Sequence, residues 1–225
     1  MLKPINWKTF PRDFVVIEIG LGLFGFAIAM LIQGGLGTSS WAVFEVAMAR
    51  ILGVTVGTVI VIDGAWVLVL ALALKEKVGW GTLANILSIG PWTDLFKFLI
   101  PPVNGEWTEL LWLRLIYFAL GIVAMGFASA IYIGVNAGAG PRDSLMLAIH
   151  RMTGWSLRVA RTSIDVTIAF AGILLGGPFG VGTIAFAFLV GPSVQLAFRL
   201  LNVRPHGEKE VRESEEIEEI KETGK

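Results

Sequence analysis

Residues 138–144 read GAGPRDS, and residues 37–43 read GTSSWAV. Each stretch follows a long apolar run and precedes a short segment closed by an arginine and a glycine, Arg151 and Gly154 in one case, Arg50 and Gly53 in the other. Sliding the chain along itself by 101 residues, without a gap, superposes the two stretches and much around them. Gly20 falls on Gly121, Gly25-Phe26-Ala27 on Gly126-Phe127-Ala128, and Gly37 on Gly138. Gly79, Gly81 and Thr82 fall on Gly180, Gly182 and Thr183, and Gly90-Pro91 falls on Gly191-Pro192. The chain is one unit used twice, the kind of internal repeat that precedes any other reading of a fold.

What surrounds the repeat sets its solvent. Of 225 residues 55% are hydrophobic and 16% are charged, against about 25% charged in a soluble domain; the mean hydropathy is +0.72. Several apolar runs reach the roughly 18 to 20 residues that a helix needs to cross a bilayer. The expected fold is therefore all-α, a polytopic helical membrane protein whose main partner is the lipid bilayer. Spans are expected at 14–33, 55–74 and 79–99 in the first unit, and at 115–135, 157–175 and 180–200 in the second. Two short helices, 41–52 and 144–153, are too brief to cross and are expected to be interfacial or re-entrant. The chain divides into an N-terminus (1–13), repeat 1 (14–100), a connecting loop (101–113), repeat 2 (114–202) and a charged tail (203–225). The first apolar stretch is read as a retained span, since no small-residue cleavage site follows it.

Orientation comes from the basic residues. With both termini cytoplasmic, Lys3, Lys8, Arg12, Lys75 and Lys77 lie inside, as do Arg142, Arg151, Arg158, Arg161, Arg199 and Arg204. Outside lie Arg50 alone and the acidic loop with Glu106 and Glu109, while Lys97 and Arg114 sit at the outer edge as the exceptions. The location expected is the cell membrane. Three spans per unit is an odd number, so the second copy is expected upside down relative to the first. Inverted repeats of this kind build secondary transporters, with a site between the two halves.

Composition also excludes. There is no cysteine, hence no disulfide and no thiolate chemistry. His150 and His206 have no carboxylate cluster beside them, so neither a metal nor a cofactor is expected. The G-x-G-x-x-G match at residues 20–25 lies within an apolar helix with no strand before it, so it is not a dinucleotide site. Its glycines read as close-packing faces between helices. No phosphate-binding G-x-x-x-x-G-K-[ST] occurs, and no basic aromatic surface suggests nucleic acid. Eight glutamates and four basic residues fall between Glu208 and Lys225, a solvated acidic tail that could also dock a partner.

The residues that carry chemistry are few. Asp63 and Asp165 lie well inside corresponding spans, one position out of register. A carboxylate there costs about 2.5 to 3.5 kcal/mol on insertion scales, so each should face a partner or a wet cavity. Arg161, one helical turn before Asp165, is the natural partner for it. Gly138, Gly140, Pro141, Arg142, Asp143 and Ser144 read as a helix start in which Asp or Ser caps free amides. Free amides at Thr38, Ser39 and Ser40 and at 140–144, helped by Arg142, could instead attract an anion. Glu45 and Asp94 are weaker candidates, and Arg50 and Arg151 are expected to anchor helix C-termini.

GTSSWAVFEVAMARILGVTVGT, GWGT, IGPWTDLF, GAGPRDSLMLAIHRMTGWSLRVART and GVGTIAFAFLVGPSVQLAF together resemble the YczE/YitT-type membrane proteins of bacteria and archaea (YczE, YyaS and YitT), over roughly residues 14–200. The resemblance implies a polytopic membrane fold and leaves the chemistry open. Members often carry Pro-Trp-Asp where this chain has Ser40-Trp41-Ala42, so the acidic position of the first copy is absent here.

These readings converge on a small secondary transporter or permease for a small polar or anionic solute, coupled to protons through Asp165 or Asp63. The alternative is a non-transporting scaffold that binds a partner, and no enzyme is expected, since no nucleophile and base pair is visible. Either reading is compatible with a homo-oligomer. Polar residues lining a one-sided cavity would favour transport, and a dry interface with every Asp paired would favour the scaffold.

Overall fold

The computed structural model describes residues 7–74, 79–105, 110–138 and 140–203. Lys3, Lys75, Lys77, Glu106, Glu109, Arg204 and the acidic tail lie outside the described residues. Among those described the chain is all helical, with eight helices and no strand. They are α1 (Phe10–Gly34), α2 (Ser40–Leu52), α3 (Val56–Ala73), α4 (Trp80–Leu99), α5 (Leu111–Gly134), α6 (Pro141–Thr153), α7 (Leu157–Leu174) and α8 (Val181–Leu200).

The 101-residue period carries through to the element boundaries: α2, α3 and α4 map onto α6, α7 and α8 residue for residue at both ends. Local chemistry sets these ends alike in both copies. Thr55 caps α3 by accepting from the Thr58 amide, and Ser156 caps α7 by accepting from Val159. Gly53 and Gly154 close the short helices in the left-handed region, with φ of 68° and 69°. Three helix starts come three or four residues earlier than the sequence reading, α5 at Leu111 rather than 115 among them. The first helix begins at Phe10, where Pro11 fits its first turn, and α6 begins at Pro141 rather than 144, with Pro141 itself at the helix start.

Four helices, α1, α3, α5 and α8, are long and apolar enough to cross a membrane. Their counterparts α4 and α7 match them in form but carry Asp94 and Lys97, and Arg158, Arg161 and Asp165, which lower their hydropathy.

Packing follows small residues. α1 lies along α5, flanked by α4 on one side and α8 on the other. A methyl group at Gly25 would collide with the Thr93 backbone, and one at Gly126 with Ser193, so the small-residue faces let α1 meet α4 and α5 meet α8. The remaining helices close a ring in which α2 touches α3, α3 touches α6, α6 touches α7 and α7 touches α2. Each glycine-rich turn docks on the other repeat: the Gly182 amide donates to the Leu36 carbonyl at 2.8 Å, and the Gly81 amide to the Ala137 carbonyl at 3.1 Å.

Candidate functional site: a charged cluster inside the helix ring

The ring brings together most of the charged residues singled out in the sequence. Arg142, one residue into α6, donates to Glu45 of α2 and, at 3.4 Å, to Oδ2 of Asp63 on α3. Its guanidinium also lies 4.3 Å from the centre of the Trp41 ring, a cation–π contact that stabilises a charge removed from water. Trp41 in turn donates its indole N–H to Oδ1 of Asp165 on α7 at 3.1 Å. Arg161 sits one turn away, 3.8 Å from Oδ2 of the same carboxylate. One network therefore ties α2, α3, α6 and α7 together.

The repeat explains its layout. Trp41 and Arg142 are counterparts at the 101-residue offset, and each reaches the aspartate of the opposite repeat's third helix. Arg50 and Arg151 do the same at the other end of the short helices: Arg50 donates to the Gly176 carbonyl beyond α7 at 3.4 Å, and Arg151 to the Leu74 carbonyl at the end of α3. These two arginines anchor helix C-termini, as the sequence led one to expect, and do so across the repeat boundary.

Burial differs along the network. The side chains of Glu45 and Asp63 are 1% and 11% exposed, whereas Arg142 is 29% exposed. On the α7 side Asp165 is 36% and Arg161 63% exposed. A buried and a partly buried carboxylate thus share one guanidinium, and Oε2 of Glu45 has no hydrogen-bond partner. With both carboxylates ionised the trio carries a net negative charge inside the protein, which a proton or a small cation would neutralise.

Glu45 is the residue that sequence reasoning placed too low. Its position in a short helix suggested the membrane surface, and its repeat counterpart is Met146, so no symmetry pointed to it. The available signal was local: Trp41 and Glu45 share a face one turn apart. Glu18, inside α1, was passed over entirely; it accepts from the Ser88 hydroxyl at 2.7 Å and the Trp92 indole at 3.3 Å, joining α1 to α4.

The glycine-rich turns dock each repeat on the other. Ser39 caps α2 by accepting from the Ala42 amide, with Ser40 the first helical residue, and the Thr38 amide donates to the Thr183 hydroxyl at 3.1 Å. The Thr38 amide is therefore spent on docking the turn to α8, while its buried hydroxyl has no partner. Gly138 packs against Gly79, and Gly140 is the N-cap residue of α6 with no side-chain cap. Asp143 does not cap α6: its Oδ2 accepts from the Tyr132 hydroxyl at 3.4 Å. Ser144 is buried, and its hydroxyl has no partner. The turns join the repeats, and the charged cluster lies between them.

Helices of this length and composition around a buried ionic cluster define a multi-pass membrane protein. The chain belongs to DUF6198, a family of unknown function, whose model matches residues 11–199. It is 36% identical over 176 residues to the uncharacterized membrane protein YczE of Bacillus subtilis, covering 76% of this chain and 79% of that protein. It is 30% identical to an uncharacterized protein of Haemophilus influenzae over 89% of each chain. It is 29% identical to the uncharacterized protein YyaS of Bacillus subtilis over 79% of this chain and 88% of that one. No solved structure matches the chain.

Proposed function

We propose that the protein is a small secondary transporter that moves a polar or anionic solute and couples it to protons at the Glu45–Arg142–Asp63 cluster. The observation that carries this reading is a buried and a partly buried carboxylate on one guanidinium, with one oxygen of the buried carboxylate unpartnered. Such an arrangement has room for one more positive charge, and a proton taken up with the solute supplies it.

The architecture fits. α4 and α7 cross the membrane with the four more apolar helices, giving six spans, and α2 and α6 are re-entrant. Three crossings per repeat place the second repeat upside down, with both termini cytoplasmic. On this orientation α3 is held against α4 at their outer ends, where the Gly57 amide donates to Oδ1 of Asp94 at 2.8 Å. A methyl group at Gly191 of α8 would meet nothing, unlike one at Gly90 of α4, and on this reading the cluster is reached from the cytoplasm between α7 and α8. No catalytic role is assigned to it.

The test is ligand-dependent thermal stabilisation of the purified protein across a solute panel at two pH values, repeated on Glu45→Gln and Asp63→Asn. Transport predicts a selective shift that depends on pH in the wild type and loses that dependence in Glu45→Gln. The scaffold reading, which the engagement of Asp63, Asp143 and Asp165 in hydrogen bonds or ion pairs favours, predicts no shift with any solute and pull-down of a partner through the acidic tail.

A further inference from the structure

Three basic residues fall on the outer side in the orientation read from the sequence, and two of them share a cavity. Arg114 is buried and holds the carbonyls of Gly34 and Val103, each at 3.0 Å, so it is part of the frame. Arg50 and Lys97 instead line one cavity of about 460 Å³. It lies where the C-terminal ends of α1, α2 and α4 meet the start of α3, and its other polar walls are Gln33, Thr55 and Asp94.

The polar groups in this mouth are unequally committed. Asp94 accepts the Gly57 amide and so is held to α3. Gln33 gives its amide to the Lys97 and Ile100 carbonyls, both at 2.8 Å, which fixes the end of α4. Arg50 uses one long bond, to the Gly176 carbonyl at 3.4 Å, leaving most of the five guanidinium donors for something else. Two cations against one engaged carboxylate leave the cavity positive. At the same offset Lys97 corresponds to Phe198, so the repeat does not call for this charge. Basic residues on the outer face oppose the topology that the other arginines and lysines set, so their convergence needs a local reason.

We infer that this cavity is the outer binding vestibule for a small anion bearing a carboxylate or phosphate group, held between Arg50 and Lys97. The inference rests on the proposed transport reading and orientation for its role as the outer mouth. It does not rest on them for the binding itself. An anion seated there lies beside Asp94, whose bond to the Gly57 amide holds α3 to α4. Two sources share the chemistry, a soluble anion and the phosphate of an anionic lipid.

The test uses the full chain in uncharged detergent at constant ionic strength. Inorganic phosphate and succinate are titrated by calorimetry, and phosphatidylglycerol is compared with phosphatidylcholine by native mass spectrometry. Saturable binding that weakens about tenfold or more in Arg50→Gln and in Lys97→Gln, and recovers in Lys97→Arg, is expected. Phosphatidylglycerol alone binding, with the same loss, supports the site and makes a lipid headgroup its ligand. No anion binding, or binding indifferent to both variants, overturns the inference. Glu45→Gln separates the two proposals: if anion binding persists there while no pH-linked response exists even in the wild type, the vestibule stands and the transport reading falls.

Discussion

The α3–α4 pair and the α7–α8 pair occupy equivalent places in the repeat and are built to opposite ends. In the first, a methyl group at Gly57 would run into the Gly90 carbonyl, one at Gly90 would run into the Gly57 carbonyl, and Asp94 bonds the Gly57 amide. In the second, Gly57 is replaced by Arg158 and Asp94 by Gln195, and nothing lies near the equivalent point of Gly191. α7 rests on the short helices α2 and α6 and does not pack along α8 among the described residues. The sequence thus keeps the repeat's outline while sealing one half and leaving the other ajar. The charged cluster follows the same gradient, buried at Glu45, largely covered at Asp63, partly exposed at Asp165 and exposed at Arg161.

The largest effect is expected where the two repeats share a charge. Glu45→Ala leaves Arg142 without its most buried partner and should cost about 3–5 kcal/mol, the range for breaking a buried pair, read as a fall in unfolding midpoint. Glu45→Gln should cost clearly less. Next comes the sealed contact. Gly90→Ala forces α3 and α4 apart and should cost about 1–3 kcal/mol, as overpacking does. A cost near zero would mean that the contact is loose. Trp41→Phe keeps a ring over Arg142 but loses the indole donor to Asp165, and should cost about 0.5–1.5 kcal/mol. Smallest is Gly191→Ala, which meets open space and should range from neutral to about 1 kcal/mol stabilising, as for alanine replacing glycine in a helix. If Gly90→Ala and Gly191→Ala behaved alike, the distinction between the halves would be lost.

Much of this was legible beforehand. The glycines and prolines that recur at 101 residues are the punctuation of helices, so they fixed the order of the elements and most boundaries. Asp63, Asp165, Arg142 and Arg161 stood out because charge inside an apolar run is expensive. That logic failed for Glu45, whose depth depends on how a short helix is tucked between α3 and α7, a tertiary fact with no periodic signature. It failed for the glycine-rich turns for the same reason: the amide of Thr38 looks free until the start of α8 is laid against it. The asymmetry of the two helix pairs was written as Gly57 against Arg158, yet only packing shows that the glycine is used for contact.

Thiol accessibility tests the central claim, a buried site open to one side, most directly, and the absence of native cysteine makes the chain its own background. Val61 faces Gly90 across the sealed pair, and Thr162 is its exposed counterpart on α7. In oriented vesicles, Thr162→Cys should react with a membrane-impermeant thiol reagent from one face only, the cytoplasmic one on the proposed orientation, and Val61→Cys should react from neither. Equal protection of both positions from both faces would contradict a site open to one side of the membrane.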